Sequence, residues 1–228
     1  MSDISNSRLN KINYVIDLFD SQRTQRYELR TKMITDFIQT YSYFTQTHNA
    51  SNDFNVLKSL KINNDEVRHS AILAWLLNSR INYYENNLLF DMFLECCHIK
   101  LSSENTTGYQ IRTEFAGSES IVDMLIYKKN NFIIYLENKV NAPEGFDQCN
   151  REWRDMRKLG ERLTVPRNKQ FAVFLTPFGR KPEKENDDHW ITLSYVSVGN
   201  NFRQLIPKIK SAKTRYLLED WLEIISQF

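Results

Sequence analysis

Hydrophobic periodicity changes once along this chain, near Tyr109, and that change limits what the chain can fold into. Before it, apolar residues recur at three- and four-residue steps. Tyr27, Met33, Ile34, Phe37, Ile38, Tyr41 and Phe44 form one stripe, the second of two helical patterns in residues 8–47. A third pattern starts near Asn64 and runs through Val67, Ala71, Ile72, Leu73, Trp75, Leu76 and Leu77; it is apolar on nearly every side and is therefore expected to be buried. A fourth covers 87–99. After Tyr109, short β-rich runs take over at 109–115, 121–127 and 132–140, and the short link 128–131 predicts an antiparallel hairpin between the last two. A break at 141–145 precedes a helix expected to end near Leu159, before Gly160. Strands at 170–176 and 190–195 flank a polar loop, and a final helix spans 212–228. The expected fold class is α/β, a sheet of four to five strands flanked by helices. Residues 1–52 are expected to form a helical N-terminal extension to a domain at 53–228.

Composition narrows the function. With 228 residues, 41% of them hydrophobic and 14 Phe, 11 Tyr and 4 Trp among them, the chain can bury a sizeable core, and intrinsic disorder is excluded as its general state. Thirty Lys plus Arg oppose 28 Asp plus Glu, so the net charge of +2 does not by itself announce a nucleic-acid partner. Cys96, Cys97 and Cys149 make no C-x-x-C, and no two of the four His are spaced for zinc. No apolar run approaches the ~18 residues of a bilayer span, and residues 1–8 lack a signal pattern. A cytoplasmic protein without membrane association is expected.

The most informative stretch is the hairpin. Asp123 interrupts the apolar run Ile121-Val122-Asp123-Met124-Leu125-Ile126, while Glu137 and Lys139 end the run that begins at Phe132. A carboxylate buried in a strand costs several kcal/mol unless a cation or hydrogen-bond donors accompany it, so Asp123 requires partners. Alternation puts Glu137 and Lys139 on one face, and an antiparallel neighbour can bring Asp123 to the same face. Two carboxylates and an ammonium suit metal-assisted phosphodiester hydrolysis, with hard oxygen ligands for Mg²⁺ and a lysine to orient water and balance charge on phosphorus. The competing reading is a salt-bridged strand end with no chemistry.

Val122-Asp123, then Glu137-Asn138-Lys139 after thirteen intervening residues, resembles the signature of the PD-(D/E)XK nuclease superfamily. The segment Asp65-Glu66-Val67-Arg68-His69-Ser70 resembles the helix that precedes the core in one group of that superfamily, and the resemblance extends over about residues 54–225. It implies a restriction-endonuclease-like core with a central mixed sheet. It also implies Mg²⁺ or Mn²⁺ held by Asp123, Glu137 and the backbone carbonyl of Asn138, with Lys139 as the catalytic lysine and Gln148 supporting the site from its helix. Glu66 is implied as an acidic residue from the first core helix. Two positions depart from the superfamily pattern: Val122 replaces the proline, and Glu152 stands where an aromatic residue often follows the glutamine.

Around this trio, other residues have two readings each. Asn63-x-x-Glu66 also reads as a capping box that closes a helix start. His69 could contact a phosphate or a carboxylate, or be a satisfied core histidine. Arg151, Arg154 and Lys158 form a basic stripe suited to a nucleic-acid backbone, although Glu152, Asp155 and Glu161 interleave with it as on a solvated face. The sequence therefore predicts a metal-dependent nuclease acting on DNA ahead of RNA, in restriction, repair or phage defence, with a homodimer through the N-terminal helices as a further expectation. The alternative is an inactive nuclease-fold module that binds a protein partner. The chain has no P-loop, so it should not drive its own translocation.

Overall fold

In the computed structural model two units are distinct, Met1–Phe54 and Asn55–Phe228. The residues described are 28, 31, 32, 34–36, 38 and 39 of the first unit, and 54–228 except 83, 84, 86, 103–105 and 184–188. The described positions within 28–39 are helical. The rest of the two N-terminal helical patterns, and with them the expected dimer contact, lie outside the described residues.

The second unit begins with a single turn, α1 (Val56–Ser59), followed by α2 (Glu66–Leu77) and α3 (Leu88–Cys96). Three strands follow: β1 (Gln110–Ala116), β2 (Ile121–Lys128) and β3 (Phe132–Asn138). Helix α4 (Gln148–Arg162) then leads to β4 (Gln170–Thr176), β5 (Trp190–Ser194), α5 (Tyr195–Arg203) and α6 (Ala212–Ile225). The five strands lie side by side in chain order. β1, β2 and β3 pair antiparallel, and β3, β4 and β5 pair parallel. The switch falls at β3 because α4 is long enough to carry the chain back to the same edge, which parallel pairing requires. The result is an α/β fold with a five-stranded mixed sheet flanked by helices.

β3 is buried along its whole length, as a strand covered on both faces must be, and its residues Phe132 to Leu136 are all apolar. Its odd-numbered residues Ile133 and Tyr135 join Met156 and Leu159 of α4 in one core. By alternation Glu137 points to the α4 side and Asn138 to the side of α2 and α5.

Three boundaries differ from the sequence expectation. Gly160 does not stop α4, which continues to Arg162; a Cβ at Gly160 would fall 2.2 Å from Gln170 Nε2, so the glycine lets α4 approach β4 closely. Asp65, not Asn63, caps α2, its side chain accepting from the Arg68 amide at 3.0 Å. α5 was not expected at all: Ser194 caps it by accepting from Ser197 N at 3.0 Å, and Val198 and Phe202 anchor it in the core.

Candidate active site

The β2–β3 pairing runs as far as Met124 and Leu136, and Asp123 and Glu137 are the residues that follow it at this end of the two strands. The Asn138 amide donates to Asp123 Oδ2 at 2.8 Å, and the Lys139 amide donates to Leu175 O at 2.9 Å, carrying the parallel ladder one residue past β3. Lys139 Nζ lies 2.8 Å from Glu137 Oε1 and 3.9 Å from Glu66 Oε2. β1 is kinked at the same level: Glu114, next to the Phe115–Val122 pair, has φ 49°, a left-handed conformation rarely adopted inside a strand.

Gln148, the first residue of α4, braces Glu137 from the side. Its Nε2 donates to Glu137 Oε1 at 2.5 Å and to Glu152 Oε1 at 2.9 Å, while its Oε1 accepts from the Gly145 amide at 3.0 Å. Glu152 is fully buried, at 0% exposure. One oxygen of each carboxyl group, Glu137 Oε2 and Glu152 Oε2, is buried without a hydrogen-bond partner. Glu152 and Asp155 were expected on a solvated face; instead both sit on the buried side of α4. Asp155 accepts from the amides of Ser118, Glu119 and Ser120 and from both serine hydroxyls, which fixes the β1–β2 turn.

The electrostatics follow from this crowding of acids. Burial, then the Glu137 carboxylate, pushes the Asp123 carboxyl up to about 7. Burial also raises Glu137 against the pull of Lys139, and burial followed by Glu137 pushes Glu152 up to about 10. For Lys139 burial works to lower the pKa, but Glu137, Asp123 and Glu66 outweigh it and the ammonium is held.

Glu66 is at the first position of α2, one residue after its cap, and its side chain turns away from its own helix. Oε1 accepts from the amides of Val140, Asn141 and Ala142 at 2.6, 3.0 and 3.0 Å, closing the turn after β3. The capping-box reading of Asn63 and Glu66 is thereby replaced by a long-range cap. Asn138 fastens the same corner from within. Its Nδ2 donates to Glu66 O at 3.0 Å and Ser70 Oγ at 3.2 Å, and its Oδ1 accepts from Tyr195 OH at 2.9 Å. The sequence reading had given Asn138 only a backbone role, and a fully buried asparagine between two charged residues was the available signal.

His69 has the environment of the second of its two readings, a satisfied core histidine. It is 0% exposed, its Nε2 donates to Asn63 O at 2.9 Å, and its Nδ1 accepts from Trp221 Nε1 at 3.1 Å. A ring with both nitrogens occupied inside the core has none left for a phosphate. The basic stripe lies along the outer side of α4, but Glu119 engages it. Arg154 pairs with Glu119 at 2.9 Å, Lys158 pairs with the same carboxylate at 2.5 Å, and Arg151 Nη1 donates to Glu119 O at 2.9 Å. Arg154 also reaches Asp147 at 3.4 Å.

Among the described residues, no set of three or more His, Cys, Asp or Glu is arranged to hold a metal ion by side chains alone. Two neighbouring carboxylates, completed by water, nevertheless match how Mg²⁺ is bound. Glu137 Oε2, buried without a hydrogen-bond partner, and the Asp123 carboxyl near it are hard oxygens of the kind a divalent ion takes, so the donor set fits one.

Sheet order, crossover and acidic corner together define a restriction-endonuclease-like α/β domain. A family model described as the PD-(D/E)XK nuclease superfamily matches residues 54–228, and the chain belongs to that superfamily. No curated protein and no solved structure matches the chain. Among the described residues, no helix is long and apolar enough to cross a membrane.

Proposed function

We propose that the chain is a divalent-metal-dependent nuclease that hydrolyses phosphodiester bonds, of DNA ahead of RNA. Asp123, Glu137 and the Asn138 carbonyl hold the cation, Mg²⁺ or Mn²⁺, which when bound neutralises charge on the phosphoryl group and makes water more acidic. The observation that carries this reading is the approach of Lys139 Nζ to Glu137 Oε1, 2.8 Å, at the strand end where the Asn138 amide donates to Asp123 Oδ2 at 2.8 Å. Lys139 orients the attacking water and balances the charge that grows on phosphorus. Gln148 keeps Glu137 in the rotamer that faces Asp123, and Glu152 in turn braces Gln148. Glu66 shapes the turn after Lys139 and adds a distant negative charge to it. Arg151, Arg154 and Lys158 contact the nucleic-acid backbone once Glu119 gives way. The segment from Asp65 to Ser70 supports assignment to the narrower group with this helix, and a cytoplasmic role in restriction, repair or phage defence accords with it.

The test is cleavage of plasmid and linear DNA, and of RNA, in Mg²⁺ and Mn²⁺, by the wild type and by Asp123→Ala and Lys139→Ala. Cleavage that both substitutions abolish is expected. Cleavage that survives them, or none in any condition, sinks the proposal and favours an inactive module on the same fold.

A further inference from the structure

The end of the sheet away from the acidic corner is cationic, and no step of the hydrolysis uses it. Lys128 closes β2, and Lys169 immediately precedes β4, in which Phe174 is the partner of Glu137. Counted along their strands from Asp123 and from Phe174, both stand about 17 Å from the corner. Arg162 ends α4, whose first residue, Gln148, holds Glu137; the two helix ends are about 21 Å apart. Hydrogen bonds gather the segments at this end. The Asn130 amide, at the hairpin tip, donates to Leu163 O at 2.9 Å, just past α4. Arg157 Nη1 donates to Arg167 O at 3.4 Å, and Lys169 Nζ donates to Lys100 O at 3.2 Å.

Residues 157–169 contain five cations and a single acid, Glu161, in a chain whose 30 Lys plus Arg are nearly balanced by 28 Asp plus Glu. Lys158 is taken by Glu119. Lys100, Lys129, Arg162 and Arg167 are exposed and Lys169 is half-buried, and among the described residues no carboxylate pairs with any of these five. Burial, and then the neighbouring Arg167, holds the Arg157 guanidinium below its ordinary value, which is the mark of cations crowded without a counter-charge. Such a cluster repels itself until a polyanion neutralises it. Two features favour a nucleic-acid backbone as that polyanion. None of the large apolar side chains exposed on the described surface lies in segments 98–101, 128–131 or 157–169, so the apolar centre of a protein interface is missing. Arg154, Lys158 and Arg162 follow one another at steps of four, so they line one side of α4 from the half nearer the corner to the cationic end.

Resting on the nuclease reading, we propose that Lys129, Arg162, Arg167 and Lys169, with Lys100 beside them, form a second contact for the phosphodiester backbone, which grips the flank of the nucleic acid whose scissile bond lies at Asp123 and Glu137. A separation of about 17–21 Å corresponds to about five or six base-pair steps. The contact is made to phosphates alone, so it adds affinity and orientation without reading sequence.

The experiment uses the full chain in EDTA, with a labelled duplex of about twenty base pairs, long enough to reach both places, titrated by fluorescence anisotropy at several salt concentrations. Arg167→Gln/Lys169→Gln, and separately Lys129→Gln/Arg162→Gln, are expected to keep the wild-type Tm, to bind about tenfold more weakly and to lower the slope of log K against log salt by about two. Lys210→Gln/Lys213→Gln removes the same charge from an exposed place elsewhere and is expected to keep the wild-type slope. In Mg²⁺ the two test variants are expected to cleave at the wild-type rate once substrate saturates, with KM raised about tenfold. A wild-type slope in both test variants overturns the contact, and so does an equal loss in the Lys210→Gln/Lys213→Gln control; if the wild type still cleaves, the nuclease reading stands without it. Failure of the wild type to bind nucleic acid at any salt concentration removes both.

Discussion

Lys139 Nζ lies 2.8 Å from Glu137 Oε1, two residues apart along the same chain segment and with little solvent between them. The ammonium occupies ground that a divalent cation would share, so removing it has opposite effects on binding and on chemistry. Lys139→Ala is expected to lower cleavage at least about a hundredfold while leaving Mn²⁺ affinity equal or tighter. Asp123→Asn is expected to lose both. Mn²⁺ titration followed by electron paramagnetic resonance, beside a cleavage assay, separates the two.

Glu66 makes its side-chain hydrogen bonds through one oxygen, which accepts three amides of the turn at 140–142, while the other lies 3.9 Å from Lys139 Nζ. Glu66→Gln keeps an acceptor there and is expected to melt within a degree or two of the wild type. Glu66→Ala leaves the amides without their acceptor and is expected to lose about 1–3 kcal/mol, with a matching loss of cleavage. Equal melting of all three proteins would show that the turn does not depend on this cap.

Glu119 holds Arg154 and Lys158 at the surface of α4. Glu119→Gln removes the carboxylate that both cations share, leaving Arg154 with Asp147 and Lys158 with the Ser118 hydroxyl. DNA affinity at low salt is expected to rise, and the slope of log K against log salt to steepen by about one to two. A slope identical to the wild type's would mean that the stripe does not meet the backbone.

Asp155 links pH to stability. The carboxylate is held down to about 2, although burial itself works to raise it, because Ser118, Glu119 and Ser120 all donate to it. A carboxyl whose folded pKa is depressed stabilises the fold above its unfolded pKa, about 3.8, and loses that contribution as pH falls toward 2. Asp155→Asn is expected to be less stable by about 2 kcal/mol at pH 7, and the gap to narrow below pH 4. Denaturant melts of both proteins from pH 7 to pH 3 measure it; a gap that holds constant refutes the assignment.

How far the sequence could be read depended on the range of the interaction. The hairpin was legible because Asp123 breaks an otherwise apolar run, and alternation is a local rule that links Glu137 to Lys139. The five strands were legible for the same reason. α5 was hidden because Val196-Ser197-Val198-Gly199-Asn200-Asn201 has poor helix propensity, and its burial against the core decides its form. Glu152 and Asp155 were read as solvated since charged residues on a helix usually are; their partners come from Gln148 beside Glu137 and from a turn thirty-five or more residues earlier. For His69 the sequence left two readings open, because Trp221, which occupies its Nδ1, is 152 residues away.

That bond between Trp221 and His69 has a temporal consequence. Helix α2, which carries Glu66 to the turn after Lys139, is fastened from behind by α6, whose Trp221 comes 152 residues after His69. Contacts of such long sequence separation form late in folding. A nascent chain without α6 therefore lacks the clamp on its acidic corner, and the corner matures only after synthesis has passed it.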